Sequence, residues 1–313
     1  MNYSLIIPVY KNQETIPELI SVLSSMNQSL NGELEVVFVV DGSPDQSATL
    51  LQSLLPKQAF VSQLIILSRN FGSFSAIRVG LQKATGSLFA VMAADLQEPP
   101  ELIEQFFESL VSNNIDVVIG TRELRSDPWF VRLTSKLFWM IYRKYIIPEM
   151  PKGGVDVFGC NLHFRNFLLQ CEESHTSLVA LIFWLGFRRK QIPYHRMKRM
   201  QGKSGWTFRK KINYLADSIF AFTDLPIKFI LMLGFLGTGA SLILSVVVSL
   251  AHFLGKIPLP GYTATVLMIL FFGGINMLAL GLIGSYTWRS YENTKRRPLA
   301  VVLKQTNFPS PSL

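Results

Sequence analysis

Along the first 120 residues, short apolar runs alternate with stretches whose apolar positions recur every three to four residues. The runs at 4–9, 34–40, 63–67, 88–92 and 117–120 predict buried strands, and the segments at 14–30, 47–54, 73–84 and 100–112 predict helices. Strands that alternate with helices imply an α/β fold with a mostly parallel sheet covered on both faces. The pattern then changes. Residues 229–255 and 257–288 contain no Lys, Arg, Asp or Glu, and each stretch exceeds the roughly 20 residues that cross a bilayer. Two transmembrane helices are expected there, with two buried helices of a soluble core as the alternative.

An even number of crossings puts both ends of the chain on one side. Arg209, Lys210 and Lys211 precede the first stretch, Arg289, Lys295, Arg296 and Arg297 follow the second, and the connection carries only Lys256. The positive-inside rule makes both ends cytoplasmic, at a bacterial inner membrane. Met1-Asn2-Tyr3-Ser4 precedes only a few apolar residues before Pro8, so no targeting signal is expected.

Composition narrows the chemistry. Half of the chain, 49%, is hydrophobic, and 30 Lys and Arg against 21 Asp and Glu leave a net charge of +9. That balance favours phosphate-bearing partners: nucleic acid, anionic lipid or a nucleotide substrate. Cys160 and Cys171 cannot build a disulfide framework, and the four histidines lack zinc-ligand spacing.

Parallel sheets bind ligands at the carboxyl ends of their strands. Here the first strand stops at Pro8-Val9-Tyr10-Lys11-Asn12, the second at Asp41-Gly42-Ser43-Pro44-Asp45, and the fourth at Ala93-Ala94-Asp95-Leu96-Gln97-Glu98. Turn and cap chemistry explains any one of these. Three together point to a nucleotide-and-metal site, with Asp41 accepting from a base or ribose and Asp95 holding a hard divalent cation. In an extended segment Ala93, Asp95 and Gln97 share a face, so Asp95 and Gln97 offer two oxygens to one Mg2+ or Mn2+.

These motifs, with Ser68-Arg69-Asn70-Phe71-Gly72 and Gly120-Thr121-Arg122, resemble the inverting family 2 glycosyltransferases of the GT-A (Rossmann-like) fold. With two C-terminal spans the chain most resembles the polyisoprenyl-phosphate glycosyltransferases, the group of dolichyl-phosphate mannose synthases and undecaprenyl-phosphate glucosyltransferases. The resemblance implies a donor site at Pro8, Tyr10, Asn12, Asp41, Ala93, Asp95 and Gln97, with the metal on Asp95 and Gln97. It departs at one place, because the family's Asp-x-Asp has Ala93 as its first member here. Gly202-Lys203-Ser204-Gly205-Trp206 resembles a loop that closes on the donor, which adds Lys203 and Ser204. Arg122, Arg132 and Ser135 match residues around the acceptor phosphate, and Asp156 matches an acidic cleft position that also reads as an ordinary turn. Asp95, Arg122 and Asp156 are thus the expected catalytic set.

The chain divides into 1–125, a nucleotide-sugar half; 126–225, an acceptor half; 226–288, the spans; and 289–313, a basic tail. The acceptor half holds amphipathic interface segments at 129–147 and 206–225, for which soluble packing is the alternative. The expected reaction moves a sugar, glucose from UDP-glucose first, to a polyprenyl phosphate at the cytoplasmic membrane face, with no nucleic acid involved. Mannose, GlcNAc and aminoarabinose are the alternative sugars, and a membrane-anchored nucleotide-sugar binder without catalysis is the rival. A processive polysaccharide synthase needs more spans and a Gln-x-x-Arg-Trp motif that the chain lacks. Gly234, Gly237, Gly239, Ser241, Gly273, Gly274, Gly281 and Gly284 suggest a homo-oligomer packed through small residues, or the packing of the two spans within one protomer.

Overall fold

Leu34–Val40 is apolar at six of seven positions and every one of the seven is buried, because helices cover both faces of the sheet around it. The computed structural model describes residues 2–112, 114–122, 139–140, 142–144, 146–151, 154–173, 176–197, 208–223, 225–254 and 261–309. The expected interface segment at 129–147 falls mostly outside them, as do Arg132, Ser135, Lys203 and Ser204.

The first half follows the expected alternation: β1 (Tyr3–Val9), α1 (Ile16–Ser29), β2 (Leu34–Val40), α2 (Ser47–Leu54), β3 (Val61–Leu67), α3 (Ser73–Lys83), β4 (Leu88–Val91), α4 (Pro100–Val111) and β5 (Val117–Arg122). Then come β6 (Val155–Asn161), α5 (Leu162–Gln170), α6 (Leu178–Trp184) and β7 (Arg189–Tyr194). The helical region comprises α7 (Phe208–Phe222), α8 (Leu225–Phe253) and α9 (Tyr262–Thr294), and β8 (Val302–Phe308) ends the chain's regular structure.

The eight strands form one sheet in the order β7-β5-β6-β4-β1-β2-β3-β8. β1, β2, β3 and β4 run parallel, as do β5 and β7, while β6 is antiparallel to both β4 and β5 and β8 is antiparallel to β3. The carboxyl ends of six strands and the amino ends of β6 and β8 therefore meet at one edge. α3 lies so close to the sheet that a Cβ on Gly80 would stand 2.4 Å from Ile6 Cγ2. Leu5, Ile7, Val36, Phe38, Leu64, Phe106 and Val118 belong to the buried core.

Residues 289–313 differ from the expected basic tail. From Arg297 onward the chain belongs with Met1–Ile212 as one compact unit, and β8 pairs with β3 from Ser62↔Phe308 to Leu67↔Val302. Gln305 Nε2 donates to Gln63 Oε1 at 3.0 Å, which secures the register.

Asn213–Arg296 forms the second unit, in which α8 and α9 pack together. Arg289 Nη2 donates to Asp217 Oδ1 at 2.8 Å and its guanidinium lies 4.8 Å from the Phe220 ring centroid, so the end of α9 is tied to α7. A Cβ on Gly237 would sit 3.2 Å from Phe272, so this glycine serves the contact between α8 and α9; Gly234, Gly239, Gly273, Gly274, Gly281 and Gly284 face open space. Among the described residues no single helix is long and apolar enough to cross a membrane, whereas Leu215–Phe222 with Leu225–Gly237 reaches that composition together across a 76° bend. Many apolar side chains of α8 and α9 face outward: Phe235 is 77% exposed, Ile243 68% and Met277 73%.

Candidate active site

Pro8 lies just past the point where β4 stops pairing with β1: the last partners are Ile6↔Val91, and Met92 N donates to Ile6 O. A residue without an N–H costs the ladder nothing there. The chain then turns through Lys11, whose φ is +58°, while Tyr10 N donates to Asn12 Oδ1 at 3.0 Å and the Tyr10 ring stays exposed.

Asp45 locks this turn to the next. Ser43 Oγ, Ser47 Oγ, Ser47 N and Gln13 N donate to its carboxylate, and Lys11 N reaches Ser43 Oγ at 2.8 Å. Partial burial alone raises the Asp45 pKa, but the four hydrogen bonds outweigh it and hold the carboxyl below its ordinary value.

Asp41, of which a base or ribose contact is expected, is buried at the end of β2 and holds a neighbouring loop. Its Oδ1 accepts from Phe71 N at 2.6 Å and its Oδ2 from Gly72 N at 2.8 Å. Both oxygens hold the loop that starts α3, where a carboxylate also complements the helix's positive end. Gly42 makes this approach possible: its φ is +56° and a Cβ would lie 2.3 Å from the backbone carbon of Arg69.

At the end of β4, Ala93, Asp95 and Gln97 do not alternate along an extended strand as expected. Leu96 adopts φ +53°, which turns the chain between Asp95 and Gln97. Asp95 is 9% exposed. Thr15 Oγ1 donates to Ala94 O at 2.8 Å, and Ala93 N points to Glu98 Oε2 at 3.4 Å. Gln97 turns to the segment after β7: its Oε1 accepts from Arg196 Nη2 at 2.6 Å, its Nε2 donates to Met197 O at 3.3 Å, and Met197 N donates to Gln97 O at 2.9 Å.

Sheet order fixes the rest. Arg122 ends β5, half-buried, with Tyr194 of β7 as its register partner. Asp156 is the second residue of β6; its side chain is outside the described residues. Across the edge the order is therefore Arg196, Arg122, Asp156, Asp95, Tyr10 and Asp41. Neighbouring strands stand about 4.8 Å apart, so β4 and β5, with β6 between them, are separated by roughly 10 Å at their centres.

Arg196 was missed in the sequence. Its signal is a buried alternation at Ile192 and Tyr194 followed directly by His195 and Arg196, which places two basic residues at a strand's carboxyl end. Among the described residues no group of three or more His, Cys, Asp and Glu surrounds a common point. A hard cation nevertheless fits the donor set: Asp95 supplies one buried carboxylate, Gln97 an amide oxygen, and a hard divalent cation commonly uses one or two carboxylates and completes its shell with substrate phosphates and water.

Carboxylates, an amide and arginines thus collect at the carboxyl edge of an α/β sheet, where such sheets bind their ligands. The family model "Glycosyl transferase family 2" matches residues 4–172, and the chain belongs to that family and is a glycosyltransferase. It is 30% identical over 300 residues to the uncharacterized glycosyltransferase sll0501 of Synechocystis sp., covering 96% of this chain and 94% of that one. It is also 30% identical over 314 residues to CsbB of Bacillus subtilis, whose glycosyltransferase assignment is provisional, covering 99% and 93%. Among solved structures, glucosyl-3-phosphoglycerate synthase from Mycobacterium tuberculosis, crystallised with Mn2+, UDP-glucose and phosphoglyceric acid, matches 70% of this chain and 78% of its own with a TM-score of 0.50 at 13% identity. That likeness supports the GT-A-like fold. The chain spans 23% of the length of S. aureus TarS, another match.

Proposed function

We propose that this glycosyltransferase moves a sugar from a nucleotide sugar to a polyprenyl phosphate at the cytoplasmic face of a membrane. The observation that carries the lipid acceptor is the exposed apolar surface of α8 and α9, helices of 29 and 33 residues. Such a surface is costly in water and at home in lipid. The return of the chain to the sheet as β8 also fits an even number of crossings, since both ends of the helical pair connect to one domain. The basic residues at those ends favour the cytoplasmic side.

A phosphate monoester has a second pKa of about 6, so a polyprenyl phosphate is mostly dianionic near neutral pH and needs no general base. One of its oxygens attacks the anomeric carbon as the bond to the nucleotide diphosphate breaks, giving an inverted polyprenyl-phosphate sugar and free nucleoside diphosphate. Two phosphate groups must approach each other in this step. Arg122 and Arg196 supply fixed positive charge at the edge, and Arg132 is a third candidate on the acceptor side. A divalent cation held by Asp95 and Gln97 would supply charge neutralisation for the departing diphosphate. Asp41 and Asp45 act earlier, by holding the loops that frame the nucleotide.

UDP-glucose is the first donor to test, being the one bound in the solved neighbour. Purified protein, undecaprenyl phosphate and radiolabelled UDP-glucose should yield label in the organic phase, dependent on both enzyme and metal; a panel of other nucleotide sugars then fixes the sugar. A second reading has one specific observation behind it, the absence of a carboxylate at Ala93. If no donor in the panel is consumed while nucleotide sugar still binds, the chain is a membrane-anchored binder. A homo-oligomer completes the proposal: Gly234, Gly239, Gly273 and Gly281 leave open helix faces on which a second copy can pack.

A further inference from the structure

We infer that Arg196 competes with the metal for Gln97 and so couples cation binding to the segment that follows β7. The inference rests on the donor and metal reading above and adds to it a residue and a direction of effect. Gln97 Oε1 is the oxygen offered to the cation, and it already accepts the 2.6 Å bond from Arg196 Nη2. A hydrogen bond from a cationic donor is among the strong ones, so Gln97 gives it up or shares it at a cost. The same guanidinium stands close to where a divalent ion would sit, and like charges disfavour one another. Metal bound without nucleotide should therefore be weak.

A nucleotide diphosphate changes this balance. Its negative charge attracts both the cation and the guanidinium, so Arg196 can turn from the amide oxygen to a phosphate oxygen while Gln97 turns to the metal. Arg196 Nε is buried and, among the described residues, has no hydrogen-bond partner, which leaves an N–H to offer. A buried donor left unmade carries a cost, which an incoming phosphate oxygen can recover. The tie between Gln97 and Met197 carries the rearrangement to the neighbouring backbone, because Gln97 Nε2 donates to Met197 O and Met197 N donates to Gln97 O. Metal and nucleotide then bind with positive coupling, each removing a cost that the other meets.

The test uses the full-length protein in detergent, with Mn2+ alone, UDP alone and both together, read by electron paramagnetic resonance for free Mn2+ and by titration calorimetry for UDP. Arg196→Met should strengthen Mn2+ binding without nucleotide by several-fold, weaken UDP binding by a similar factor, and reduce the coupling between them. General electrostatics would give the first effect too, so Gln97→Leu and the double variant separate the two causes. If the gain from Arg196→Met vanishes in the Gln97→Leu background, the competition is confirmed. If the gain persists there unchanged, or if Arg196→Met lowers both affinities together, the inference is overturned while the donor reading stands. A wild-type protein that binds neither Mn2+ nor UDP overturns both.

Discussion

The two edges of the sheet use buried carboxylates in opposite ways. At the amino edge Glu35, the second residue of β2, accepts from Ser4 Oγ, Gln63 Nε2, Thr85 N and Thr85 Oγ1 at 2.5 to 3.0 Å. Asp116, just before β5, receives Arg188 Nε and Nη2 at 2.8 and 3.0 Å and Asn161 Nδ2 at 3.0 Å. These groups meet side chains and backbone of their own domain, and the left-handed residues on this side, Asn31, Gly32 and Gly186, lie in the turns that lead into β2 and β7. At the carboxyl edge Lys11 and Leu96 adopt positive φ, and Asp41 spends its charge on holding a loop. Strain of this kind costs about 1–3 kcal/mol per residue and persists where the surroundings enforce it. The amino edge is a staple, and the carboxyl edge is held ready for a ligand.

That contrast breaks first at Asp95. Asp95→Asn keeps the shape and removes the charge, so turnover should fall on the order of a hundredfold or more, while the thermal midpoint stays close to wild type. A variant that keeps its turnover would remove Asp95 from the site. Glu35→Gln should do the reverse. It leaves Thr85 N or another donor facing an amide NH2, and a buried donor without an acceptor costs about 1–3 kcal/mol; denaturant titration should show the loss, with donor KM unchanged.

Asp41→Asn tests the border between the two roles. One of the two backbone N–H groups, of Phe71 or Gly72, would face an NH2, costing about 1–2 kcal/mol locally. Faster amide exchange at 68–72 with a raised donor KM is the expected result. If the KM rises and exchange does not change, Asp41 touches the nucleotide after all.

How much of this was legible follows from burial. β2 is covered on both faces, so Val36, Val37, Phe38, Val39 and Val40 form an apolar run that announces itself. The edge strands announce far less. β7 carries Arg189, Lys190, Gln191 and Pro193, and β8 carries Lys304, Gln305, Thr306 and Asn307, because one side of each lies open to water and only pairing with β5 or β3 makes them strands. β6 is hidden in another way, since Asp156 and Gly159 interrupt its apolar signal. At the site, residue types were readable and partners were not. Asp41, Asp95 and Gln97 end strands as expected, but Leu96 turns left-handed and Gln97 meets Arg196 from 99 positions away. A contact of that range has no local signature.

The smallest effect concerns acid. Hydrogen bonds from the Arg188 guanidinium lower the Asp116 pKa, against a raising effect of burial and with further help from Asn161, from 3.8 to about 2. A carboxyl depressed on folding adds stability that is complete above its unfolded value and fades as pH falls from about 4 toward 2. The full shift is worth about 2 kcal/mol, and exposure of Arg188, at 59%, brings the expected contribution down to about 1 kcal/mol. Asp116→Asn should therefore destabilise the protein by about that amount at pH 6 and by much less at pH 2, with denaturant midpoints measured across the range. Asp45 titrates in the same direction in the same region, so it must remain in both proteins and cancels in the difference. A gap that stays constant down to pH 2 would show that Arg188 and Asn161 hold this edge together without the charge of Asp116, and the staple would then be a matter of shape.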